Sequence, residues 1–137
     1  MTHPTIIPTM RYRDAKRMIG WLGEAFGFER HAVYEDGASG VAHAQLTLGN
    51  GMIMLGSARD DAFGKLQVPP DGPVTQSSYI IVPDADAVYV RAKAAGATIV
   101  HDIRDEDYGG RGFSCLDPEG QLWNFGTYDP WAAAGKS

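Results

Sequence analysis

The chain has 137 residues, the size of one ordinary domain, which is long enough to bury a single substantial core. Hydrophobic residues make up 44% and charged residues 21%, a balance typical of globular proteins that excludes a disordered chain. A net charge of −5 argues against nucleic acid and anionic membrane surfaces as partners, and a single cysteine excludes an intramolecular disulfide.

The first half of the chain predicts one helix among four strands. Residues 5–12 are predicted to form an irregular edge strand, because two prolines near its start remove ladder hydrogen bonds. Asp14 then caps a helix whose apolar residues recur at helical spacing, and Gly27 ends it in a left-handed conformation. Asn50-Gly51 predicts a tight hairpin turn. The three strands after the helix are predicted at residues 28–35, 41–48 and 52–56.

The second half repeats this order of elements. Residues from about 58 to 76 are rich in aspartate, glycine and proline and break every periodicity, which predicts a connecting segment. A second helix is then capped by Asp84 or Asp86 and ended by Gly96, and a turn-rich loop follows at residues 105–112. The strands of this half are predicted at residues 77–82, 98–103 and 113–116, and from residue 122.

The two halves match at a nearly constant offset. The N-caps Asp14 and Asp84 are 70 residues apart, and the helix-ending Gly27 and Gly96 are 69 apart. Further pairs at offset 69 or 70 are Gly51 with Gly120 and Gly56-Ser57 with Gly126-Thr127. Such a repeat predicts an α+β fold of two β-α-β-β-β modules. We expect one domain over residues 1–137, with module one at about 5–57, the connecting segment at 58–76 and module two at 77–129.

A tight turn opens the last strand. In Asp117-Pro118-Glu119-Gly120, proline fits the second position of a type I turn, aspartate the first and glycine the fourth. Side chains on the following strand alternate, so Trp123 and Phe125 share one face and Asn124 lies on the other. Because the two aromatic residues belong in a core, Asn124 is predicted to face whatever lies opposite that core.

With these motifs, the chain resembles the vicinal-oxygen-chelate superfamily, which includes glyoxalases, ring-cleaving dioxygenases, fosfomycin-resistance enzymes and bleomycin-resistance proteins. The resemblance rests on the paired modules, on Arg11-Tyr12-Arg13-Asp14, on Glu24-Ala25-Phe26-Gly27-Phe28 and on the Asp117 turn. It implies two curved sheets around a U-shaped cleft, with helices on the convex side, and a protein that is commonly a homodimer.

The metal-binding positions of the family are changed in this chain. The resemblance places them at Ile7, Met54, Ser77 (or Ser78 if the register slips by one) and Asn124. Divalent transition metals are normally bound by His, Cys, Asp and Glu, and none of these stands at the four positions. We therefore expect no metal and no other cofactor, and the chain is closest in character to the metal-free, bleomycin-resistance-like members.

His43, Gln45 and Thr47 share one face of the strand at residues 41–48, and that face is a candidate for the cleft. His43 is then either a general base or ligand anchor, or a histidine satisfied by hydrogen bonds within the sheet. Between residues 105 and 112, Tyr108 and Arg111 suggest a lid that stacks on a ligand and pairs with an anionic group. The alternative is a hydrophilic loop with an internal ion pair between Arg111 and an aspartate.

Other polar residues are predicted to have no chemical role. His101 is predicted to lie on an edge strand beside Asp102, which indicates a solvated side chain. Cys115 has no activating base nearby in the sequence, and small buried thiols are usually inert.

These observations favour a protein that binds a small organic molecule, with possible sequestration of an antibiotic or toxic compound. The predicted ligand contacts are His43, Gln45, Ser78, Asn124, Tyr108 and Arg111. The rival hypothesis is a glyoxalase-type lyase or isomerase, or a dioxygenase-related enzyme, working through a metal or by acid–base chemistry. A third is an accessory module with a vestigial cleft.

The expected location is the cytoplasm. No stretch approaches the length of a membrane span, and the first residues lack the basic and long apolar segments of a signal peptide. The predicted partners are a small organic molecule and a second copy of the chain.

Overall fold

The computed structural model describes residues 2–134 and contains the two predicted β-α-β-β-β modules. The chain divides into two compact units between Asp71 and Gly72, inside the predicted connecting segment. The unit ending at Asp71, called module one, contains β1 (Thr9–Tyr12), α1 (Ala15–Phe26), β2 (Glu29–Glu35), β3 (Val41–Leu48) and β4 (Gly51–Ser57). The unit from Gly72, called module two, contains β5 (Ser78–Ile81), α2 (Ala85–Ala94), β6 (Thr98–Asp105), β7 (Arg111–Leu116), β8 (Leu122–Gly126) and α3 (Pro130–Ala134).

Each module forms one four-stranded mixed sheet. The strand order is β1-β4-β3-β2 in module one and β5-β8-β7-β6 in module two. β1 pairs in parallel with β4, and β5 pairs in parallel with β8. The remaining pairs are antiparallel. The α+β class and the paired modules are thus confirmed, while the U-shaped cleft stays a prediction. Among the helices of residues 2–134, none has the length and apolar character needed to cross a membrane.

The helix ends lie where the sequence places them. Asp14 Oδ1 accepts a hydrogen bond from the Arg17 N–H at 3.2 Å, and Asp84 Oδ1 accepts one from the Ala87 N–H at 3.1 Å. Past the other ends, Gly27 has a φ of +89° and Gly96 a φ of +99°. The apolar stripe of α1 is buried as predicted, at Ala15, Met18, Ile19, Leu22, Ala25 and Phe26.

The internal repeat extends to hydrogen bonds that the sequence did not reveal. The Val41 N–H donates to Ser57 Oγ at 2.9 Å in module one. The Arg111 N–H donates to Thr127 Oγ1 at 2.9 Å in module two, and both residues are offset by 70 from their counterparts. Ser57 and Thr127 therefore match not only in position but also in the hydrogen bond that each hydroxyl group accepts from a backbone N–H.

The Asp117 turn is organised around a buried carboxylate. Asp117 is 3% exposed, and its Oδ1 accepts the N–H groups of Glu119 at 2.9 Å and Gln121 at 3.1 Å. Its Oδ2 accepts the Trp123 Nε1–H at 3.0 Å, which ties the turn to the core. Gly120 has a φ of +94°, and its N–H donates to the Asp117 carbonyl at 2.9 Å.

Several element boundaries differ from the sequence prediction. β1 begins at Thr9 and not at Thr5, because the prolines cannot donate to the ladder. The hairpin between β3 and β4 pairs Leu48 with Gly51, so its central residues are Gly49 and Asn50. The residue with positive φ is Gly49, at +60°, which is typical of a type II′ turn. The short helix α3 was not predicted.

Two edge strands are interrupted in the same way. β2 forms one edge of the module-one sheet, and β6 forms one edge of the module-two sheet. Each shows two register shifts against its neighbour. The prediction that His101 lies on an edge strand is therefore confirmed.

Candidate functional site

Each sheet has an open face, meaning the face opposite its helix. In module one, Thr9, Met54 and Gln45 lie side by side across β1, β4 and β3 on this face. In module two, Tyr79, Asn124 and Ser114 occupy the same places across β5, β8 and β7. The opposite face of module two holds Trp123 and Phe125, each 1% exposed, so Asn124 faces away from the core as predicted.

The open face of module one brings two predicted residues together. Gln45 Nε2 lies 3.1 Å from His43 Nε2, which accepts the amide hydrogen in the neutral tautomer that carries its own hydrogen on Nδ1. The Tyr34 ring stacks on His43 with 6.1 Å between the ring centroids. His43 thus has a partner within its own strand, and a role for His43 and Gln45 in ligand binding stays a prediction.

The open face of module two carries a pocket of about 250 Å³. Two predicted site residues, Asn124 and Tyr108, line it. The other lining residues are Tyr79, His101, Glu106, Gly112, Phe113, Ser114 and Phe125. We call this the module-two pocket.

Asn124 is held at the floor of the pocket by three hydrogen bonds. Its Nδ2 donates to Ser77 Oγ at 2.9 Å and to the Ser78 carbonyl at 3.0 Å, which uses both amide hydrogens. Its Oδ1 accepts the Ser114 hydroxyl at 2.7 Å. The side chain beside Asn124 is therefore that of Ser77, whereas Ser78 contributes its carbonyl and pairs with Trp123 on the other face.

Glu106 lies in the pocket wall with a largely buried side chain, 16% exposed. Its Oε1 accepts Arg104 Nε–H at 2.6 Å, and its Oε2 accepts the Tyr108 hydroxyl at 3.0 Å. The hydrogen bond from Arg104, and then that from Tyr108, lowers the pKa of Glu106 below its ordinary value. Burial, with the hydrogen bond to Glu106, raises the pKa of Tyr108.

Tyr79 also lines the pocket. Its hydroxyl donates to the Tyr128 carbonyl at 2.8 Å, and burial raises its pKa. The ring crosses Gly126, where a Cβ atom would lie 3.0 Å or less from the Tyr79 ring. Tyr108 closes the aromatic wall, because its ring meets Tyr128 edge-on with 5.0 Å between centroids. Glycine at position 126 therefore makes room for the tyrosine in the pocket.

Arg111, predicted to pair with an anionic group at the mouth of the site, is not among the residues that line the module-two pocket, and its role in ligand binding stays a prediction. Arg111 Nε donates to Asp86 of α2 at 2.9 Å, and Arg111 Nη1 lies 3.4 Å from Asp105. Side chains alternate along β7, so Arg111 lies on the helix side of the sheet and Gly112 lies at the pocket. The alternative prediction, an ion pair with an aspartate, is confirmed. The hydrogen bond to Asp86 raises the pKa of Arg111.

Sequence reasoning missed four polar residues of the pocket. His101 is exposed, as predicted, yet it also lines the pocket with Tyr79, Glu106 and Ser114. The internal repeat could have indicated two of them. Tyr79 lies 70 residues after Thr9, and Glu106 lies 70 residues after Asp36 in the matching loop.

The positions implied for a metal do not fit one. Met54 offers a thioether, and the Asn124 amide is already hydrogen-bonded. Within residues 2–134, no three His, Cys, Asp or Glu side chains are grouped so that they could hold a metal ion.

Cys115 is not a candidate nucleophile. The side chain is buried, and burial raises the pKa of its thiol to about 12. A thiol of that pKa is almost entirely protonated at neutral pH, and the thiolate is the reactive form. This agrees with the prediction that Cys115 is inert.

Comparison with known proteins identifies a family and several similar structures. The model of the Glyoxalase/Bleomycin resistance protein/Dioxygenase superfamily matches residues 3–125. An uncharacterized protein of Mycobacterium bovis, Mb0911c, is 27% identical over 125 residues, which cover 90% of this chain and 82% of the relative.

Two solved structures extend the comparison. TioX from Micromonospora sp. ML1 is 28% identical with a TM-score of 0.72, over 92% of this chain and 98% of TioX. The fosfomycin resistance protein FosX from Mesorhizobium loti is 16% identical with a TM-score of 0.66, over 98% of this chain and 99% of FosX, and this likeness concerns the fold alone.

Proposed function

The chain belongs to the Glyoxalase/Bleomycin resistance protein/Dioxygenase superfamily, and on this premise we propose that it is a metal-independent member that binds a small organic molecule. The observation that carries the proposal is the module-two pocket, in which aromatic walls surround a few hydrogen-bonding groups. Sequestration of an antibiotic or another toxic compound needs only affinity, which apolar burial and placed hydrogen bonds supply.

The size of the pocket limits the ligand. At about 250 Å³, it lies just below the usual range of ligand pockets, roughly 300–1,000 Å³. It therefore encloses a small aromatic compound, or one ring system of a larger molecule. Tyr108, 59% exposed, and Tyr79, 41% exposed, offer ring surface to such a group.

The rival function is a glyoxalase-type lyase or isomerase that works by acid–base chemistry, because His101 and Glu106 both line the pocket. The protonation states of Glu106, Tyr79 and Tyr108 argue against proton transfer by these three groups. The lowered pKa of Glu106 makes its carboxylate a weak base, and the raised pKa values of Tyr79 and Tyr108 keep both phenols protonated near neutrality. Groups that keep one protonation state hold a ligand better than they transfer protons.

A ligand screen with a matched pair of variants tests the proposal. We expect thermal-shift and NMR titrations to find a ligand among bleomycin-like glycopeptides, mitomycins, thiol adducts and aromatic amines. Tyr108→Ala should weaken binding about tenfold through loss of aromatic contact. Tyr34→Ala removes a tyrosine of module one that is equally exposed, at 58%, and should leave the affinity unchanged.

Metal analysis and turnover assays separate the two functions. We expect purified protein to bind its ligand equally well before and after chelation. Stoichiometric nickel, zinc, iron or manganese, lost on chelation together with turnover of a glyoxalase-type substrate, would overturn the proposal. A complete failure of the ligand screen would instead favour the third hypothesis, an accessory module with a vestigial cleft.

We also propose a cytoplasmic homodimer, as the family resemblance implies. Some large apolar side chains are strongly exposed, including Leu66 (85% exposed) and Trp131 (82% exposed), and they support an interface between two copies of the chain. Light scattering after size exclusion should give the mass of two chains. A monomer mass at every concentration would contradict this part of the proposal.

A further inference from the structure

The polar groups of the module-two pocket share one property that bears on the chemistry of the ligand. Five of its side chains carry acidic, hydroxyl or amide groups, and four of these have hydrogens to donate: Tyr79, Tyr108, Ser114 and Asn124. In each of the four, every such hydrogen is already given to a protein acceptor. The fifth, Glu106, is a carboxylate and only accepts.

The direction of each hydrogen bond is fixed by its partner. The Tyr79 hydroxyl meets the carbonyl of Tyr128, and a carbonyl only accepts. The Tyr108 hydroxyl meets the carboxylate of Glu106, which also only accepts. These two phenols therefore present oxygen lone pairs, and not hydrogens, to a ligand.

The Asn124 and Ser114 pair is fixed in the same way. Both Nδ2 hydrogens of Asn124 go to Ser77 Oγ and the Ser78 carbonyl, so the amide oxygen is the group that faces Ser114. The Ser114 hydroxyl must then donate to that oxygen, at 2.7 Å. What remains on both side chains is again acceptor capacity.

We propose that the module-two pocket selects ligands in which a short chain joins a protonated amine, or a similar N–H-rich group, to an aromatic ring. This inference rests on the proposed function, since it names the class of ligand for the same pocket. Lone pairs of Tyr79, Tyr108, Ser114 and Asn124 and the carboxylate of Glu106 accept the N–H groups, and the tyrosine rings attract the positive charge. Carboxylate and phosphonate groups meet lone pairs and are rejected.

Two neighbouring groups set limits on this selection. Arg104 donates to Glu106 and offsets part of its charge, and Arg104 is not among the residues that line the pocket. His101 lines the pocket and carries one N–H group when neutral, so it is the lining side chain that can serve a single acceptor of the ligand.

Three indole probes with the same ring test the inference: tryptamine, the neutral tryptophol and indole-3-propionate. NMR titration of the full chain should shift resonances of Tyr79, Glu106, Tyr108 and the Asn124 amide. We expect tryptamine to bind at least about tenfold more tightly than indole-3-propionate, with tryptophol between them, as charge-assisted hydrogen bonds predict.

The outcomes separate this inference from the proposed function. If indole-3-propionate shifts the pocket resonances at equal or lower concentration than tryptamine, the selection for amines is wrong and the binding function stands. If none of the three probes shifts these resonances, the inference fails together with the assignment of this pocket.

A variant pair sharpens the result. Glu106→Gln replaces an acceptor by an amide that can donate, so the preference for tryptamine over indole-3-propionate should fall about tenfold. Asp107→Asn makes the same charge change at an exposed neighbour outside the pocket lining, and should alter the preference less than about twofold. An equal loss of preference in both variants would contradict the assigned role of Glu106. The wild-type comparison decides the inference even if Glu106→Gln does not fold.

Discussion

Modules one and two share a scaffold but differ in the loop that joins their second and third strands. In module one, Asp36 Oδ1 accepts the N–H groups of Ala38 at 2.8 Å and Gly40 at 3.1 Å, so the carboxylate closes its own loop. In module two, Glu106 takes the place of Asp36, and its longer side chain reaches Tyr108 and the pocket instead. The longer carboxylate and the tyrosine two residues later thus distinguish the loop with a candidate site from the structural loop.

The open faces of the two modules also carry different side chains. Module one aligns Thr9, Met54 and Gln45, whereas module two aligns Tyr79, Asn124 and Ser114. The backbone pairing is the same, but the second set provides aromatic walls and a connected hydrogen-bond network. The repeat therefore preserves backbone hydrogen bonds, while side chains decide which copy carries a pocket.

The largest expected effect concerns the Asp117 turn, which a buried carboxylate stabilises in module two. Asp117→Ala leaves the N–H donors of Glu119, Gln121 and Trp123 without this acceptor, so we expect the free energy of unfolding to fall by about 3 kcal/mol. Urea denaturation followed by tryptophan fluorescence measures it. Asn50→Ala, in the exposed hairpin turn of module one, should cost less than about 1 kcal/mol. Equal losses would show that the two hairpins are stabilised alike.

The next effect converts one loop into the other. Glu106→Asp should let the shorter carboxylate bond the backbone N–H groups of residues 108 and 110, as Asp36 does in module one. We expect the affinity for tryptamine to fall about tenfold, or about 1.4 kcal/mol, while the thermal midpoint is nearly unchanged. The reverse change in module one, Asp36→Glu, should leave the affinity as it is. Unaltered binding by Glu106→Asp would remove the carboxylate from the candidate site.

A smaller loss of stability is expected from removing the hydroxyl-to-backbone hydrogen bond that both modules share. Ser57→Ala and Thr127→Val each remove a hydroxyl that accepts a backbone N–H, from Val41 and Arg111 respectively. Each change should cost about 1 kcal/mol, because a single hydrogen bond to a part-buried group is lost. Hydrogen exchange at the two amides should rise in parallel. A difference above about 1 kcal/mol between the variants would break the equivalence.

The smallest expected effect distinguishes the two helices. α1 contains Gly20 and Gly23, whereas α2 contains no glycine. A Cβ atom at Gly20 meets nothing within 4 Å, so Gly20→Ala should stabilise the chain by about 0.5–1 kcal/mol. Gly23→Ala should gain less, because its Cβ would lie 3.1 Å from the Phe28 carbonyl oxygen. Thermal denaturation compares the two, and a larger gain at Gly23 would contradict this account.

The sequence predicted the features that depend on neighbouring residues. The caps at Asp14 and Asp84 and the glycines that end both helices follow from local backbone chemistry. The hairpin between β3 and β4 was also predicted, but its centre was placed one residue too late, because Gly49 and Gly51 flank the same asparagine and both suit a turn.

The candidate site was predicted only in part, because it depends on contacts between distant residues. Asn124 was found through strand alternation, and Tyr108 through the composition of its loop. The observed β7 begins two residues earlier than predicted, and this strand directs the Arg111 side chain toward Asp86. Tyr79 and Glu106 reach the pocket across strands and loops, which no local pattern reveals.

The irregular edges of β2 and β6 have a consequence for how the chain behaves at high concentration. A straight edge strand offers a row of backbone donors and acceptors to a strand of another molecule, and so promotes fibrous aggregation. Here each edge loses its regular ladder at two register shifts. Both also carry charged or titratable side chains, which are Glu29, Arg30, His31 and Glu35 on β2 and His101, Asp102, Arg104 and Asp105 on β6. These two edges therefore resist strand addition, and crowded solutions of the folded chain should stay free of amyloid-like assemblies built on them.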